Sequence, residues 1–193
     1  RCLDVGAATG GFTDCLLQHG AVAVMAVDVG HGLLADKLRR DPRVTVRERT
    51  HARELLPADL PWPVDLLVMD VSFIGAAALV PVLVPLVRAG GELLLMVKPQ
   101  FELPREAVPD GGVVTDPGER QRAADMVAQR FTSAGLADVH TEPFTFLKYD
   151  VVASSIAPTV DGVAVPMAHD VFSQSGKGHV DADVVYVGTG HEK

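Results

Sequence analysis

The chain begins with Cys2-Leu3-Asp4-Val5-Gly6-Ala7-Ala8-Thr9-Gly10-Gly11, which sets the class of structure. Cys2–Val5 is a short apolar run typical of a buried strand, and the small residues after it allow a tight turn. The pattern from Gly11 to His19 then predicts a helix. A strand, a turn of small residues and a helix, in this order, predict the first part of a βαβ unit.

The same alternation continues along the chain. Apolar, β-branched runs predict strands at Cys2–Val5, Ala21–Val27, Val44–Val46, Val64–Met69 and Glu92–Val97. Helical patterns predict helices at Gly11–His19, Leu33–Arg40, Ala76–Val87 and Pro117–Ala134. Asp116 before Pro117 is a favourable helix start, and Gly135 ends that helix. Parallel strands need crossover connections, and a crossover helix covers the sheet. The predicted fold is therefore α/β and Rossmann-like, with a mostly parallel, doubly wound sheet and helices on both faces.

Composition limits the classes of protein that the chain can belong to. Its 193 residues carry 17 basic and 25 acidic side chains, a net charge of −8, with 48% apolar and 22% charged residues. These values exclude disordered and fibrous proteins. The longest uncharged stretch, Val71 to Val87, contains two prolines and is shorter than the roughly 20 apolar residues of a membrane span. We therefore expect no membrane association.

Cysteine and histidine usage bears on metals and on the cellular compartment. The two cysteines, Cys2 and Cys15, fall in a predicted core strand and a predicted core helix. We expect both to be small buried hydrophobic residues in a reducing compartment, which predicts a cytoplasmic protein. The seven histidines show no HExxH motif, and the chain has no paired CxxC spacing. The sequence therefore predicts no metal site.

The first turn predicts a cofactor site. In a doubly wound sheet this turn lies in the ligand crevice, and the next helix offers free N–H groups. A dinucleotide fingerprint would need glycine at the position of Ala8, which argues against NAD or FAD. Asp28 ends the second predicted strand, where a carboxylate can accept both hydroxyls of a ribose. Together these features favour S-adenosylmethionine, and the alternative is a tight turn with no ligand.

Two more polar residues follow predicted strands. Asp70 comes directly after Val64–Met69, and Lys98 follows a run of five apolar residues. Because parallel strands end at the same edge of a sheet, the two side chains can share one site. The alternative is a buried ion pair with a purely structural role.

Six motifs together resemble the TlyA family of RNA 2′-O-methyltransferases, which is related to FtsJ and sometimes labelled haemolysin. The resemblance covers about residues 1–146, and its order and spacing make it specific. The Lys-Pro-Gln-Phe-Glu and Gly-Gly-Val-Val segments are the most distinctive. The motifs are residues 4–11, 27–32, 48–53, 69–74, 97–102 and 111–117.

The resemblance implies transfer of a methyl group from S-adenosylmethionine to a ribose 2′-hydroxyl of ribosomal RNA. The family uses a Lys-Asp-Lys-Glu set for this reaction. Asp70 matches the Asp and Lys98 the second Lys, with Lys98 as base or activator and Asp70 orienting it and holding the sulfonium end. The cofactor-binding residues implied are Asp4, Gly6, Ala7, Thr9, Gly10, Gly11, Asp28, Val29, Thr50, His51 and Asp70.

The chain departs from the family pattern at both ends. The first Lys of the set and the small S4-type RNA-binding domain would precede Arg1, so we expect the chain to be a fragment. As a fragment it is expected to bind the cofactor without catalysing methyl transfer. Asp183 is the nearest analogue of the final Glu. We expect residues 1–148 to form the methyltransferase core and residues 149–193 to add the last strands of the same domain.

The charge distribution bears on RNA as a partner. A net charge of −8 disfavours RNA binding, yet residues 37–53 contain seven basic side chains against Asp41 and Glu48, a local net charge of +5. This segment is either an RNA-facing patch or a solvated surface. Three alternatives to an active rRNA methyltransferase stay open: a catalytically silent module that binds cofactor or RNA, a transferase for another substrate, and a membrane-active protein.

Overall fold

A computed structural model describes residues 1–141 and, for the backbone only, residues 159–160 and 163–164. Residues 1–141 form one compact unit built on a five-stranded sheet. Its strands are β1 (Cys2–Val5), β2 (Val24–Val27), β3 (Val44–Arg47), β4 (Val64–Met69) and β5 (Val87–Leu95). The spatial order is β3-β2-β1-β4-β5, and every neighbouring pair is parallel.

Five α-helices connect or follow these strands. They are α1 (Gly11–Gln18), α2 (Asp36–Arg39), α3 (Ala76–Leu83), α4 (Pro99–Glu102) and α5 (Pro117–Ser133). The start of α5 confirms the sequence prediction, because Asp116 accepts a hydrogen bond from the Glu119 N–H and Pro117 occupies the first helical position. Gly135 follows its end with φ +83°.

Alternate strand residues face opposite sides of the sheet, and helices cover both. Leu3 and Val27 pack with Leu79 and Leu83 of α3 on one side. Val24 packs with Leu17 of α1 and Leu38 of α2 on the other. The predicted doubly wound α/β fold is therefore confirmed.

Three predicted boundaries are wrong. β2 begins at Val24 rather than Ala21, because the Ala21 N–H is still bonded to the Leu16 carbonyl at the end of α1. The helix predicted over Leu33–Arg40 shrinks to Asp36–Arg39. The helix predicted over Ala76–Val87 ends at Leu83, and Val84–Leu86 continue as a 3₁₀ turn around Pro85.

The prediction that both cysteines are buried is wrong for Cys15. Its side chain is exposed on α1, whereas Cys2 is buried.

β5 is longer than predicted and irregular. It runs from Val87 to Leu95 rather than from Glu92 to Val97, and its register shifts against β4 between Val64 and Leu66. Gly91 lies at the shift, where a Cβ atom would stand 2.8 Å from the Asp65 carbonyl oxygen. The extra residues are accommodated there as a bulge.

The rest of the chain adds little to the described structure. β6 (Thr159–Val160) and β7 (Val163–Ala164) form a two-stranded antiparallel pair. The other residues of the predicted 149–193 segment, Asp183 among them, lie outside the described residues. Within the described residues, every helix is too short or too polar to cross a bilayer.

Candidate active site

The sheet brings three predicted polar residues and the glycine turn after β1 to its carboxyl edge. Val5 pairs with Val27 on one side and with Met69 on the other. Gly6, Asp28 and Asp70 are the next residues along β1, β2 and β4, so they leave the sheet at the same level. Lys98 follows β5 on the far side of Asp70. Parallel pairing therefore assembles the site from segments far apart in the chain.

The turn after β1 depends on two glycines. Gly6 has φ +83°, and a Cβ atom there would lie 2.2 Å from the Asp70 carbonyl oxygen. Gly10 has φ +99°, and its Cβ atom would lie 2.2 Å from Leu38 Cδ1. The Gly6 N–H donates to the Val27 carbonyl at 2.8 Å. The turn can therefore pass close to β4 and α2 only without side chains at these positions.

Asp28 is held by backbone amides. Its Oδ2 accepts the Ala8 N–H at 2.8 Å, and its Oδ1 accepts the Gly30 N–H at 2.7 Å. The Thr50 N–H donates to its main-chain carbonyl at 3.0 Å. Each carboxylate oxygen keeps a second acceptor position, so the group can still receive two hydroxyls. The side chain of Val29, next along the chain, is exposed.

The other predicted cofactor residues surround this carboxylate. Ala7 is buried under the turn, and Thr9 accepts the Ala35 N–H through its carbonyl. His51 uses Nδ1 to accept the Arg53 N–H at 3.1 Å, which starts a short 3₁₀ turn. Gly11 begins α1, and a Cβ atom on it would meet nothing within 4 Å. These residues shape the crevice mainly through their backbone.

Asp4 is completely buried in β1. Its Oδ2 accepts a 2.6 Å hydrogen bond from the Thr13 hydroxyl of α1, while its Oδ1 is buried without a hydrogen-bond partner. Burial raises the pKa of Asp4 to about 6, with Asp28 and Asp70 adding to the rise and the Thr13 hydrogen bond opposing it. Sequence reasoning missed Thr13, whose only signal was its position on the apolar face of α1.

Lys98 and Asp70 meet, as predicted. Lys98 Nζ lies 2.6 Å from Asp70 Oδ1 in an ion pair and donates a 3.0 Å hydrogen bond to Ser72 Oγ. Asp70 Oδ1 is buried and makes no hydrogen bond, so charge attraction holds it beside Nζ. The Lys98 side chain is 25% exposed, which leaves its amine accessible to a substrate. Sequence reasoning missed Ser72.

A second set of contacts joins the segment after β5 to the segment after β4. Glu102, the last residue of α4, accepts the Ala76 N–H and, at 3.3 Å, the Ala77 N–H at the start of α3. Burial raises the pKa of Glu102, and these two amides oppose the rise. The Phe101 ring packs against Phe73 with centroids 5.7 Å apart. Phe73 has φ +67° and is 92% exposed.

The basic segment 37–53 is largely neutralised. Five of its seven cations form ion pairs, three of them with acids outside the segment, so the local charge of +5 overstates its field. The pairs are Lys37–Asp14, Arg39–Glu48, Arg40–Asp36, Arg43–Asp41 and Arg47–Asp59. Arg49 and Arg53 are exposed and have no ion pair with any described residue. They are the two cations of this segment that remain available to an anionic partner.

A metal centre has no ligand set in the part of the chain that the structure describes. There, no three His, Cys, Asp or Glu side chains converge closely enough to hold an ion.

Comparisons with known proteins identify the relatives of this chain. The chain is 50% identical over 135 residues to the 16S/23S rRNA (cytidine-2′-O)-methyltransferase TlyA of Mycobacterium tuberculosis, covering 70% of this chain and 50% of TlyA. It is 38% identical over 143 residues to Hemolysin A of Brachyspira hyodysenteriae, covering 72% and 58% of the two chains. The chain thus spans about half the length of the curated relatives it matches.

A solved structure supports the fold. A protein of Lactococcus lactis described as a "putative hemolysin" superposes with a TM-score of 0.67 at 41% identity, covering 69% of this chain and 64% of that one. The model of the family described as FtsJ-like methyltransferase matches residues 1–145, three quarters of the sequence. The chain therefore belongs to the FtsJ-like methyltransferase family.

Proposed function

We propose that this chain carries the catalytic machinery for methyl transfer from S-adenosylmethionine to a ribose 2′-hydroxyl of ribosomal RNA. The observation that carries the proposal is the pair formed by Lys98 Nζ and Asp70 Oδ1, 2.6 Å apart at the sheet edge that also holds Asp28. A crevice that only bound a cofactor would not need a partly exposed lysine held beside it. The substrate in the name of TlyA, 16S/23S rRNA, supports this reading.

The residues at the crevice fit S-adenosylmethionine. Asp28 has acceptor positions left for the ribose hydroxyls, and Asp4 Oδ1 is a buried acceptor in need of a donor, such as the ammonium of the methionine part. Gly6 and Gly10 let the turn that borders the crevice pack closely on Asp70 and Leu38. The binding set is Asp4, Gly6, Ala7, Thr9, Gly10, Gly11, Asp28, Val29, Thr50, His51 and Asp70. When bound, the cofactor supplies an electrophilic methyl group.

Lys98 and Asp70 act on the nucleophile. A ribose hydroxyl attacks poorly while it keeps its proton, so a base must take that proton as the new O–C bond forms. Lys98 in its neutral form accepts it on Nζ. Ser72 Oγ and Asp70 Oδ1 fix the position of Nζ, and Asp70 stabilises the ammonium that results. The pair therefore orients the base and balances its charge.

Arg49 and Arg53 are the residues proposed to contact RNA at the carboxyl edge of the sheet. Arg49 is anchored near the cofactor crevice, because its N–H donates to the carbonyl of Gly30, whose own N–H is bonded to Asp28. Guanidinium groups without an acidic partner are free to contact phosphate oxygens. An enzyme with this substrate works in the cytoplasm, where ribosomes are.

The experiment has two arms. Calorimetry of the chain with S-adenosylmethionine should show saturable binding that Asp28→Ala weakens by more than tenfold, whereas Asp36→Ala on the surface of α2 should leave it unchanged. The natural protein that carries this chain should then place label from methyl-labelled cofactor on ribosomal subunits. Digestion should recover the label as a 2′-O-methylated nucleoside.

Two other outcomes would contradict parts of the proposal. A methylated base in place of a methylated ribose would contradict the proposed substrate atom. Cofactor binding without any transfer would favour the catalytically silent module.

A further inference from the structure

Glu102 is a half-buried carboxyl group that the proposed chemistry does not use. It ends α4, the single turn that Lys98 precedes, and both of its oxygens face the first amides of α3. Because its acceptors are occupied by Ala76 and Ala77, it is not placed to exchange a proton with a substrate. Its contacts instead join α4 to the start of α3.

The same two segments are joined at two further points. Lys98 reaches Ser72 and Asp70 at one end of α4, and Phe101 packs on Phe73 in the middle. Residues 98–102 therefore contact residues 70–77 three times, and Glu102 makes the contact farthest from the reacting amine. The Phe101 N–H is bonded to the Lys98 carbonyl and the Leu103 N–H to the Pro99 carbonyl, so backbone hydrogen bonds link Lys98 to the rest of the turn.

Gly75 shows how closely the two segments approach. A Cβ atom on Gly75 would lie 2.7 Å from Glu102 Oε2 and 2.8 Å from the Phe101 carbonyl oxygen. The second distance involves backbone, which cannot turn away as a flexible side chain would. The close approach of α4 to α3 therefore requires glycine at position 75.

We propose that Glu102 is a positioning residue for methyl transfer: by receiving the Ala76 and Ala77 amides it holds α4 against α3 and thereby sets Lys98 beside Asp70. This inference rests on the proposed function, since it assigns Glu102 a role through Lys98. A shift of about 1 Å in a reacting group can lower a rate by about a hundredfold, so a brace four residues away is sufficient to matter.

The test compares two helix caps. Glu102→Ala removes the cap of α3 beside Lys98, and Asp116→Ala removes the cap of α5, whose hydrogen bond goes to the Glu119 N–H and involves neither Lys98 nor Asp70. With the natural protein that carries this chain, Glu102→Ala should lower kcat about tenfold to a hundredfold with little change in KM for S-adenosylmethionine. Asp116→Ala should lower stability while keeping kcat near that of the wild type.

Further variants at Glu102 and Gly75, with a matched glycine control, separate positioning from a general loss of stability. Glu102→Gln keeps the length and one acceptor oxygen, so it should recover part of the lost rate, whereas Glu102→Asp is one methylene shorter and should not. Gly75→Ala pushes on the same contact from the α3 side and should reproduce the kcat loss of Glu102→Ala. Gly118→Ala, near the start of α5, serves as the matched glycine control.

A direct readout of Lys98 does not need turnover. The chain has five lysines, so the Cε resonance of Lys98 can be assigned by its loss in Lys98→Arg. Glu102→Ala and Gly75→Ala should move that resonance, while Asp116→Ala should not. An unmoved resonance together with a kcat equal to that of Asp116→Ala would overturn the proposal. A wild type without transferase activity would refute the proposed function instead, and the resonance would still decide whether Glu102 positions Lys98.

Discussion

The two halves of the site are built in different ways. On the β1–β2 side, Asp28 and the glycine turn are held by backbone amides of neighbouring turns. On the β4–β5 side, Asp70, Ser72 and Lys98 are held by side chains from two segments more than 25 residues apart. Backbone contacts fix a binding surface before any ligand arrives, whereas side-chain pairs can change charge during a reaction. The difference supports the proposal that one half holds the cofactor and the other moves a proton.

The largest expected effect is a loss of kcat without a loss of cofactor affinity, which would show that the two halves act independently. Lys98→Ala should lower kcat for methyl transfer by about 10²–10⁴-fold, the usual contribution of a positioned base. Its affinity for S-adenosylmethionine should stay at the wild-type value, because none of the contacts of Asp28 involves Lys98. Calorimetry and single-turnover transfer measure the two quantities, with Lys37→Ala as the control. A parallel loss of affinity would mean that the two halves are one unit.

The point at which the halves touch provides a sharper test. Gly6→Ala should lower the free energy of unfolding by roughly 2–4 kcal/mol, because it combines a left-handed backbone with a Cβ atom driven into the Asp70 carbonyl. Gly20→Ala is the matched control, since Gly20 has φ +91° and open space around it. It should cost about 1 kcal/mol. Urea unfolding measures both, and equal losses would show that the close approach to β4 is unimportant.

The pH dependence of stability tests the role of Asp4 on the β1–β2 side. Its pKa is about 6 in the folded chain against an ordinary 3.8, so between these values the folded state binds more protons than the unfolded state. This group therefore makes the fold less stable as pH rises from about 4 to 6. Asp4→Asn removes the effect and keeps an acceptor for Thr13, so at pH 8 it should be more stable than the wild type by about 1–3 kcal/mol. Asp36→Asn, on the surface, serves as the control in the same pH series.

The smallest expected effect concerns RNA at the rim. Arg49→Ala and Arg53→Ala should each reduce the slope of log affinity against log salt by about one unit. Arg43→Ala should change it little, because both hydrogen bonds of the Arg43 guanidinium go to Asp41. Filter binding to ribosomal RNA at several salt concentrations measures the slopes. Equal slopes for all three variants would remove this edge from the RNA interface.

The parts of the structure that depend on local pattern could be predicted from sequence. The five strands, the parallel doubly wound sheet and the start of α5 follow from apolar runs, a small-residue turn and the Asp116-Pro117 pair. The meeting of Lys98 with Asp70 could be expected too, since parallel strands end at one edge. The boundary at Ala21 was wrong because its N–H is still bonded to the Leu16 carbonyl at the end of α1. The boundary at Leu33 was wrong because Ala35, directly before α2, is not helical and donates its N–H to the Thr9 carbonyl.

What depends on side chains meeting across the sheet could not be predicted. Nothing local shows that Thr13 would bond to Asp4, or that Glu102 would reach Ala76 across 26 residues. The charge count over residues 37–53 failed for the same reason, because Asp14, Asp36 and Asp59 lie outside that window and neutralise three of its cations. Cys15 was placed in the core because its helix is apolar on one face, and it lies on the other.

Ala8 shows how the crevice is prepared for its ligand. It adopts φ +47°, a conformation that costs an alanine roughly 1 kcal/mol more than a glycine, and its N–H is the donor to Asp28 Oδ2. A glycine here would relieve the strain but would give the unfolded chain, and the empty turn, more conformations to lose. The methyl group of Ala8 thus lowers the stability of the fold slightly but restricts the conformations of the empty turn. A ligand that binds there therefore has a smaller loss of conformational entropy to offset. Ala8→Gly would complete a Gly-x-Gly-x-x-Gly pattern with Gly6 and Gly11, and one methyl group separates this turn from that of a dinucleotide-binding protein.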